Sequence, residues 1–246
     1  MNYIDLNCDM GEGMEYDDQL MPYISSANIA CGYHAGNEDI MKKTVELSLQ
    51  HKVSIGAHPG FLDKANFGRT EMQVSDKQVY DWVTEQLHSL KKICATFNAP
   101  IHHIKPHGAL YNMAAKNKTL AASIAKAIHD FDTNLFLYGL SGSYLISEAK
   151  AIGLQTASEV FADRTYQDTG MLTPRSLPNA LIESDDEALL QVLNMVKKQN
   201  VTSVTGKIIA ITAETICLHG DGKHAVSFAK LIHQSLKNNH IGVKAI

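Results

Sequence analysis

Two phosphate-cradling signatures are missing from this sequence. It contains neither GxGxxG nor GxxxxGK[ST], so nothing marks an open nucleotide-binding sheet. The four cysteines, Cys8, Cys31, Cys94 and Cys217, form no CxxC pair, and reduced thiols in a cytoplasmic protein are the expectation. No apolar run approaches the roughly 18 residues of a membrane span. The opening MNYIDLNCDMGEG is mixed and acidic rather than basic and then apolar, which argues against a signal peptide. No basic patch and no basic run interleaved with aromatics occurs, and the net charge is −4; a nucleic-acid partner is not expected. There is no HExxH, so no helix-borne pair of that kind assigns metal ligands. Linkers rich in proline and serine, low-complexity stretches and internal repeats are absent too. With 45% hydrophobic residues among 246, one domain over 1–246 has enough apolar material for a core.

What the chain does have is alternation. β-Branched or apolar runs near 2–7, 26–31, 53–57, 102–105, 134–138, 154–158 and 208–218 read as strands. Between them lie helical patterns. Val79, Val83, Leu87, Leu90, Cys94 and Phe97 share one face of a helix over 76–97, and Ser75 with Gln78 suits a capping box at its start. Leu120, Ile124, Ile128 and Phe131 mark another helix, as do Val192 and Val196 after Ser184, and Ala225, Ala229, Ile232 and Leu236 near the end. A shorter one follows Asn37. Parallel strands need long crossovers, so strand–helix alternation predicts a parallel sheet. About seven such units in a chain of this length predict an irregular (β/α) barrel. The segment 160–183 is long and weakly periodic, the kind of loop that carries function.

Polar and ionisable residues collect just after nearly every predicted strand. Asp5, Asn7 and Asp9 alternate along the first and so share a face; Glu12 follows. Later strands end in Cys31 and His34, in His58, in Lys105 and His107, in Glu159 with Asp163 and Arg164, and in His219 with Asp221. In a barrel these ends meet on one rim, where catalytic sites are built. Each residue also has a structural reading. His34 can cap a helix, Asp221 can be an N-cap, Asp163 and Arg164 can simply shape the loop, and Cys31 reads as a small buried thiol. Lys105 is the stronger case, because a lysine ending an interior strand is costly unless it meets an anion such as Asp9 or Glu159. Four histidines and several carboxylates at one mouth would suit Zn²⁺ or Mn²⁺, but spacing assigns no ligand set.

The blocks IDLNCDMGEG (4–13), SSANIACGYHAG (25–36), GAHPG (56–60), NFGR (66–69), HIKPHGALYN (103–112), SEVFADRTYQDTGMLTPR (158–175) and ICLHGD (216–221) together resemble the LamB/YcsF family, the A subunits of ATP-dependent 5-oxoprolinases. The resemblance runs the length of the chain. It departs at Asn37, where the family usually has Asp, at Gly60 and Phe61, where it usually has Ser and Tyr, and at Thr70, where a second Arg is usual. The family's barrel is similar to that of polysaccharide deacetylases, which carry consecutive aspartates after the first strand. Here the stretch reads Asp9–Met10, and a methionine is a poor ligand for a hard metal.

The resemblance implies cleavage of 5-oxoproline to glutamate coupled to ATP, with separate B and C subunits as partners and ATP bound mainly by them. The chemistry then needs a base, for which Asp9 and His107 are the candidates, and a cation, for which Lys105 is the candidate. Asn7, Glu12, His34, His58, Glu159, Asp163, Arg164, His219 and Asp221 are left to hold substrate. Two other readings stay open: a stand-alone metal-dependent amidase or deacetylase, and a carrier of small acids without chemistry of its own.

Overall fold

The computed structural model describes residues 2–218 and 224–246. Among them the chain runs β1 (Asn2–Met10), α1 (Asp17–Leu20), β2 (Ser26–Ala30), α2 (Glu38–His51), β3 (Ser54–His58), α3 (Asp76–Thr96), β4 (His103–Ile104), α4 (Gly108–Lys116), α5 (Lys118–Phe131), β5 (Phe136–Leu140), α6 (Tyr144–Ala151), β6 (Gln155–Phe161), α7 (Asp185–Lys198), β7 (Asn200–Thr202), β8 (Ile208–Ala210), β9 (Thr215–Leu218), α8 (Ala225–Asn238) and β10 (Ile241–Val243). Seven strands, β1 through β6 and then β9, pair in parallel in that order, and β9 pairs back onto β1 to close the barrel. None of the described helices is long and apolar enough to cross a membrane.

Barrel closure explains the composition of β1. Ile4, Leu6, Cys8 and Met10 are all buried in the hydrophobic core. The alternate residues Asp5 and Asn7 are buried as well, but they point inward and bond across the barrel. Thr215 Oγ1 on β9 donates to Asp5 Oδ2 at 2.6 Å, and Asn7 Nδ2 donates to Glu159 Oε1 on β6 at 2.9 Å. A barrel strand has two buried faces, and here the inner one is polar.

Local signals set the helix starts. Ser75 and Gln78 form the capping box of α3. Asn37, one of the departures from the family pattern, caps α2 by accepting from the Ile40 amide at 2.9 Å, and Glu38 and Asp39 in the first turn complement the positive end of the helix.

The elements differ from the sequence reading in several places. β1 and β6 each run three residues further than expected, and α1 and β7 were not expected. β5 begins two residues later than expected. The run 208–218 is two strands: β8 pairs antiparallel with β7 outside the barrel, and only β9 enters it. The C-terminal β10 lies parallel to the start of β1. The short helices α4 and α6 have no side-chain cap and too few turns for a visible period.

Candidate active site

The barrel interior is a ladder of polar side chains, and its lowest rung is structural. Asp5 accepts from Ser25 and Ser26 through Oδ1 and from Thr215 through Oδ2. Burial still outweighs those bonds and raises its pKa above the usual carboxylate value. One rung up, Asn7, Asn28 and His103 bond in series: His103 Nε2 donates to Asn28 Oδ1 at 2.8 Å, and Asn28 Nδ2 donates to Asn7 Oδ1 at 2.8 Å.

Lys105 ends this ladder. Only 2% exposed, its Nζ lies 2.9 Å from Asp9 Oδ1 and 2.9 Å from Glu159 Oε1. It also donates to Asn7 Oδ1 at 3.1 Å and to Cys217 Sγ at 3.0 Å, and sits 5.5 Å from the Phe161 ring centre. Burial works against the ammonium, but Asp9, Cys217 Sγ and Glu159 around it win, so its pKa stands well above the ordinary lysine value. The thiol of Cys217 is itself pushed well up by burial, so it meets Lys105 as a neutral acceptor and the two carboxylates carry the charge. Tyr111 donates to Glu159 Oε2 at 2.6 Å, and Asn28 Nδ2 to Asp9 Oδ1 at 2.8 Å.

Beside this group stand three histidines and Glu12. Glu12 Oε1 lies 3.2 Å from His34 Nε2, 3.3 Å from His107 Nδ1 and 3.9 Å from His58 Nε2. His58 Nε2 and His107 Nδ1 are 2.9 Å apart. The other nitrogen of each ring meets a main-chain carbonyl: His58 Nδ1 that of Lys105 at 2.7 Å, His107 Nε2 that of Phe67 at 2.8 Å. His34 stacks on His107 with ring centres 3.7 Å apart. Burial, then His58, pushes the pKa of His34 down to about 2; burial, then His58 and His34, holds His107 well below the usual imidazole value. One donor atom from each of Glu12, His34, His58 and His107 falls within 4.8 Å of the others, a set that could hold a metal ion.

Two glycines make room for these rings. A Cβ at Gly60 would come within 2.6 Å of His34 Nδ1. At Gly68, where φ is +63°, a Cβ would sit 2.7 Å from His34 Cβ and 3.0 Å from His107 Cδ2. His103 and His107 stand four apart in sequence, but they lie on a strand end and a turn rather than on one helix. His103 goes down to Asn28 and His107 sideways to His58.

Above the group opens a cavity of about 350 Å³. Of the residues singled out from sequence, Asp9, Glu12, His58, Lys105, His107 and Arg164 line it. Asn7 and Glu159 lie beneath, touched by Lys105, and His34 lies behind Glu12 and His107. Arg164 also fastens the long loop, donating from Nη2 to Thr173 O at 2.6 Å and from Nε to Ala180 O at 3.2 Å. Asp163 is not on the cavity wall; its main-chain oxygen accepts from Ile182. His219 and Asp221 fall outside the described residues. Cys31 is buried and its thiol pKa is pushed up to about 12 by that burial, which removes the thiolate a nucleophile would need.

Sequence reasoning passed over Asn28, Tyr111 and Cys217, all of which touch the Lys105 group, and Arg69 and Arg175, which line the cavity with it. A signal was there for two of them. Asn28 is two residues beyond Ser26, and Cys217 two beyond Thr215, so the period-2 rule applied to β1 would have turned both inward.

The chain matches the model of the LamB/YcsF family over residues 4–246. It is similar to the 5-oxoprolinase A subunit of Tolumonas auensis, with 52% identity over 251 residues covering 100% of both chains. It is similar also to the 5-oxoprolinase A subunit of Geobacillus kaustophilus, with 53% identity over 249 residues, 100% of this chain and 97% of that one. Among solved structures, a lactam utilization protein from Thermus thermophilus superposes with a TM-score of 0.93 at 37% identity, covering 99% of this chain and 100% of that one. A family 4 carbohydrate esterase from Streptomyces lividans, at 12% identity, 100% and 93% coverage and a TM-score of 0.54, shares the fold alone.

Proposed function

The chain belongs to the LamB/YcsF family, and from that premise we propose that it is the ring-opening component of a cytoplasmic ATP-dependent 5-oxoprolinase, acting as one barrel domain with separate B and C subunits. The observation that carries the reading is Lys105, buried between Asp9 and Glu159 under a cavity lined by Arg69, Arg164 and Arg175. That floor and wall suit a small substrate bearing a carboxylate and a phosphate.

A lactam is an amide and opens slowly in water. Transfer of the γ-phosphoryl group of ATP to the lactam oxygen, assigned here to the partner subunits, yields ADP and an activated imidate-like carbon. Water adds to that carbon and its proton goes to a base. The intermediate must then expel nitrogen, since expelling phosphate would only restore the lactam. Ring opening leaves an acyl phosphate, and a second water releases glutamate and phosphate. Asp9 is the preferred base, because His107 gives its Nε2 hydrogen to Phe67 O at 2.8 Å and turns its Nδ1 to His58 Nε2, 2.9 Å away. Lys105 pairs with Asp9 and Glu159 and offers positive charge to the oxygen where negative charge develops. Glu12, His34 and His58 complete the substrate surroundings.

The test is glutamate release from 5-oxoproline by the purified chain, with and without ATP and the B and C subunits. Release only when all are present is the expected result. Robust ATP-dependent turnover by the chain alone would remove the partner requirement, and no release in any combination would remove the reading. The four-donor group favours one other reading, a metal-dependent amidase working alone, and ATP-independent hydrolysis of simple amides by the isolated chain would establish it.

A further inference from the structure

We infer that Glu12, His58 and His107 form a binding site for one divalent transition-metal ion of the zinc type. Its ligands are Nε2 of His58, Nδ1 of His107 and a carboxylate oxygen of Glu12, while His34 hydrogen-bonds Glu12 and stacks on His107 beside them. The inference does not rest on the ring-opening reading.

The case begins with two hydrogens. A carbonyl oxygen can only accept, so His58 Nδ1, 2.7 Å from Lys105 O, carries its ring's hydrogen, and so does His107 Nε2, 2.8 Å from Phe67 O. In a neutral imidazole the second nitrogen then bears a lone pair. Those second nitrogens, His58 Nε2 and His107 Nδ1, face each other at 2.9 Å. Glu12 Oε1 lies 3.3 Å from His107 Nδ1 and 3.9 Å from His58 Nε2, and accepts a hydrogen bond from His34 Nε2 at 3.2 Å. The two imidazole lone pairs that face each other repel at 2.9 Å unless something positive sits beside them. Imidazoles whose outer N–H is fixed by a main-chain carbonyl are oriented as metal-bound histidines are.

Dimensions and donor type agree. With zinc bonds of about 2.0–2.1 Å, tetrahedral donors stand roughly 3.3 Å apart, and the three separations among His58, His107 and Glu12, 2.9, 3.3 and 3.9 Å, bracket that value. Two imidazoles and one carboxylate suit zinc or cobalt rather than magnesium or calcium. Glu12, His58 and His107 line the cavity while His34 lies behind, so the ion would face the space where a small ligand enters.

The experiment titrates the full chain, stripped with a chelator, with Co²⁺ followed by visible absorption and with Zn²⁺ followed by calorimetry. One Co²⁺ per chain is expected, with d–d bands of a nitrogen- and oxygen-ligated ion that Zn²⁺ displaces. His58→Gln should lower affinity by at least about 100-fold, and His34→Gln by roughly 10-fold or more, since an outer partner of a ligand is worth roughly 10–100-fold. His129→Gln, on α5 away from the cluster, should bind as the wild type does. Thermal melts of the metal-free variants report folding, and the wild-type titration decides even if a variant fails to fold. A wild-type chain that binds neither ion more tightly than His58→Gln would overturn the proposal and leave His58 and His107 sharing a single proton. Because no readout is turnover, the site and the ring-opening reading fail independently.

Discussion

Replacing Lys105 with methionine keeps most of the apolar stem and removes the charge between Asp9 and Glu159. Breaking a buried ion pair from one side costs about 3–5 kcal/mol, because the remaining charge is left buried. Here two carboxylates lose their cation, but neither loses every donor. Asp9 keeps Asn28 Nδ2 at 2.8 Å; Glu159 keeps Asn7 Nδ2 at 2.9 Å and the Tyr111 hydroxyl at 2.6 Å. The cost therefore belongs at the low end, about 3 kcal/mol, and at roughly 2–4 °C per kcal/mol for a chain of this size the melting temperature falls by about 6–12 °C. The pKa of Lys105 is raised in the folded protein. Its contribution is then complete below the unfolded-state value of about 10.4 and is lost only as pH rises through the folded-state value, so the gap should persist from about pH 7 to 9. Lys105→Met combined with Glu159→Gln removes one orphaned charge and should recover part of the loss. Catalysis separates from stability: the folded fraction of the single variant, assembled with its partner subunits, should lose at least about 100-fold in rate, roughly 2.7 kcal/mol of transition-state stabilisation, and the double variant should not regain it. Paired melts and glutamate-release kinetics check both. A melt within about 2 °C of the wild type would refute the ion-pair energetics, and near-normal turnover by folded protein would take Lys105 out of the mechanism.

Asp5 gives a test in pH. Its folded-state pKa is raised above 3.8 by burial, so the native state binds more protons than the unfolded one between those values, and stability falls as pH rises through that window. Melts of the wild type and Asp5→Asn from acid to neutral pH should show the wild type losing ground steadily; parallel curves would contradict the burial argument. Arg164→Ala removes two bonds to loop carbonyls, each worth about 1.5–3 kcal/mol at most for a charged donor. Proteolytic nicking within 162–183 should speed up markedly, and unchanged protection would show that the loop is held by other contacts. Gly68→Ala adds a Cβ at 2.7 Å from His34 at a φ of +63°, so a loss of about 1–3 kcal/mol from the backbone alone is expected, together with altered His34 and His107 ring signals by NMR. Unshifted signals would mean that the loop yields instead of the histidines.

Periodicity is a local property, and what depends on it was legible in the chain. The inward face of Asp5, Asn7 and Asp9, the amphipathic stripe of α3 with its Ser75 cap, the parallel barrel and the polar strand ends all follow from side-chain spacing of two or of about 3.6 residues. The family departure at Asn37 was legible as a residue, though its service as the α2 cap was not. Height within the barrel was not legible either. Asp5 and Asp9 occupy the same strand and the same face, yet one is fastened by hydroxyls low in the barrel and the other meets Lys105 beneath the cavity. His103 and His107 likewise part company within five residues. Those heights are set by the register of each strand against its neighbour, which depends on how the barrel closes and on the β1–β9 pairing of segments from opposite ends of the chain. The same closure sends β8 outside while β9 enters. It also gathers Glu12, His34, His58 and His107 from the ends of four separate strands, because residues that share no helix or strand acquire a common position only when the elements carrying them are packed.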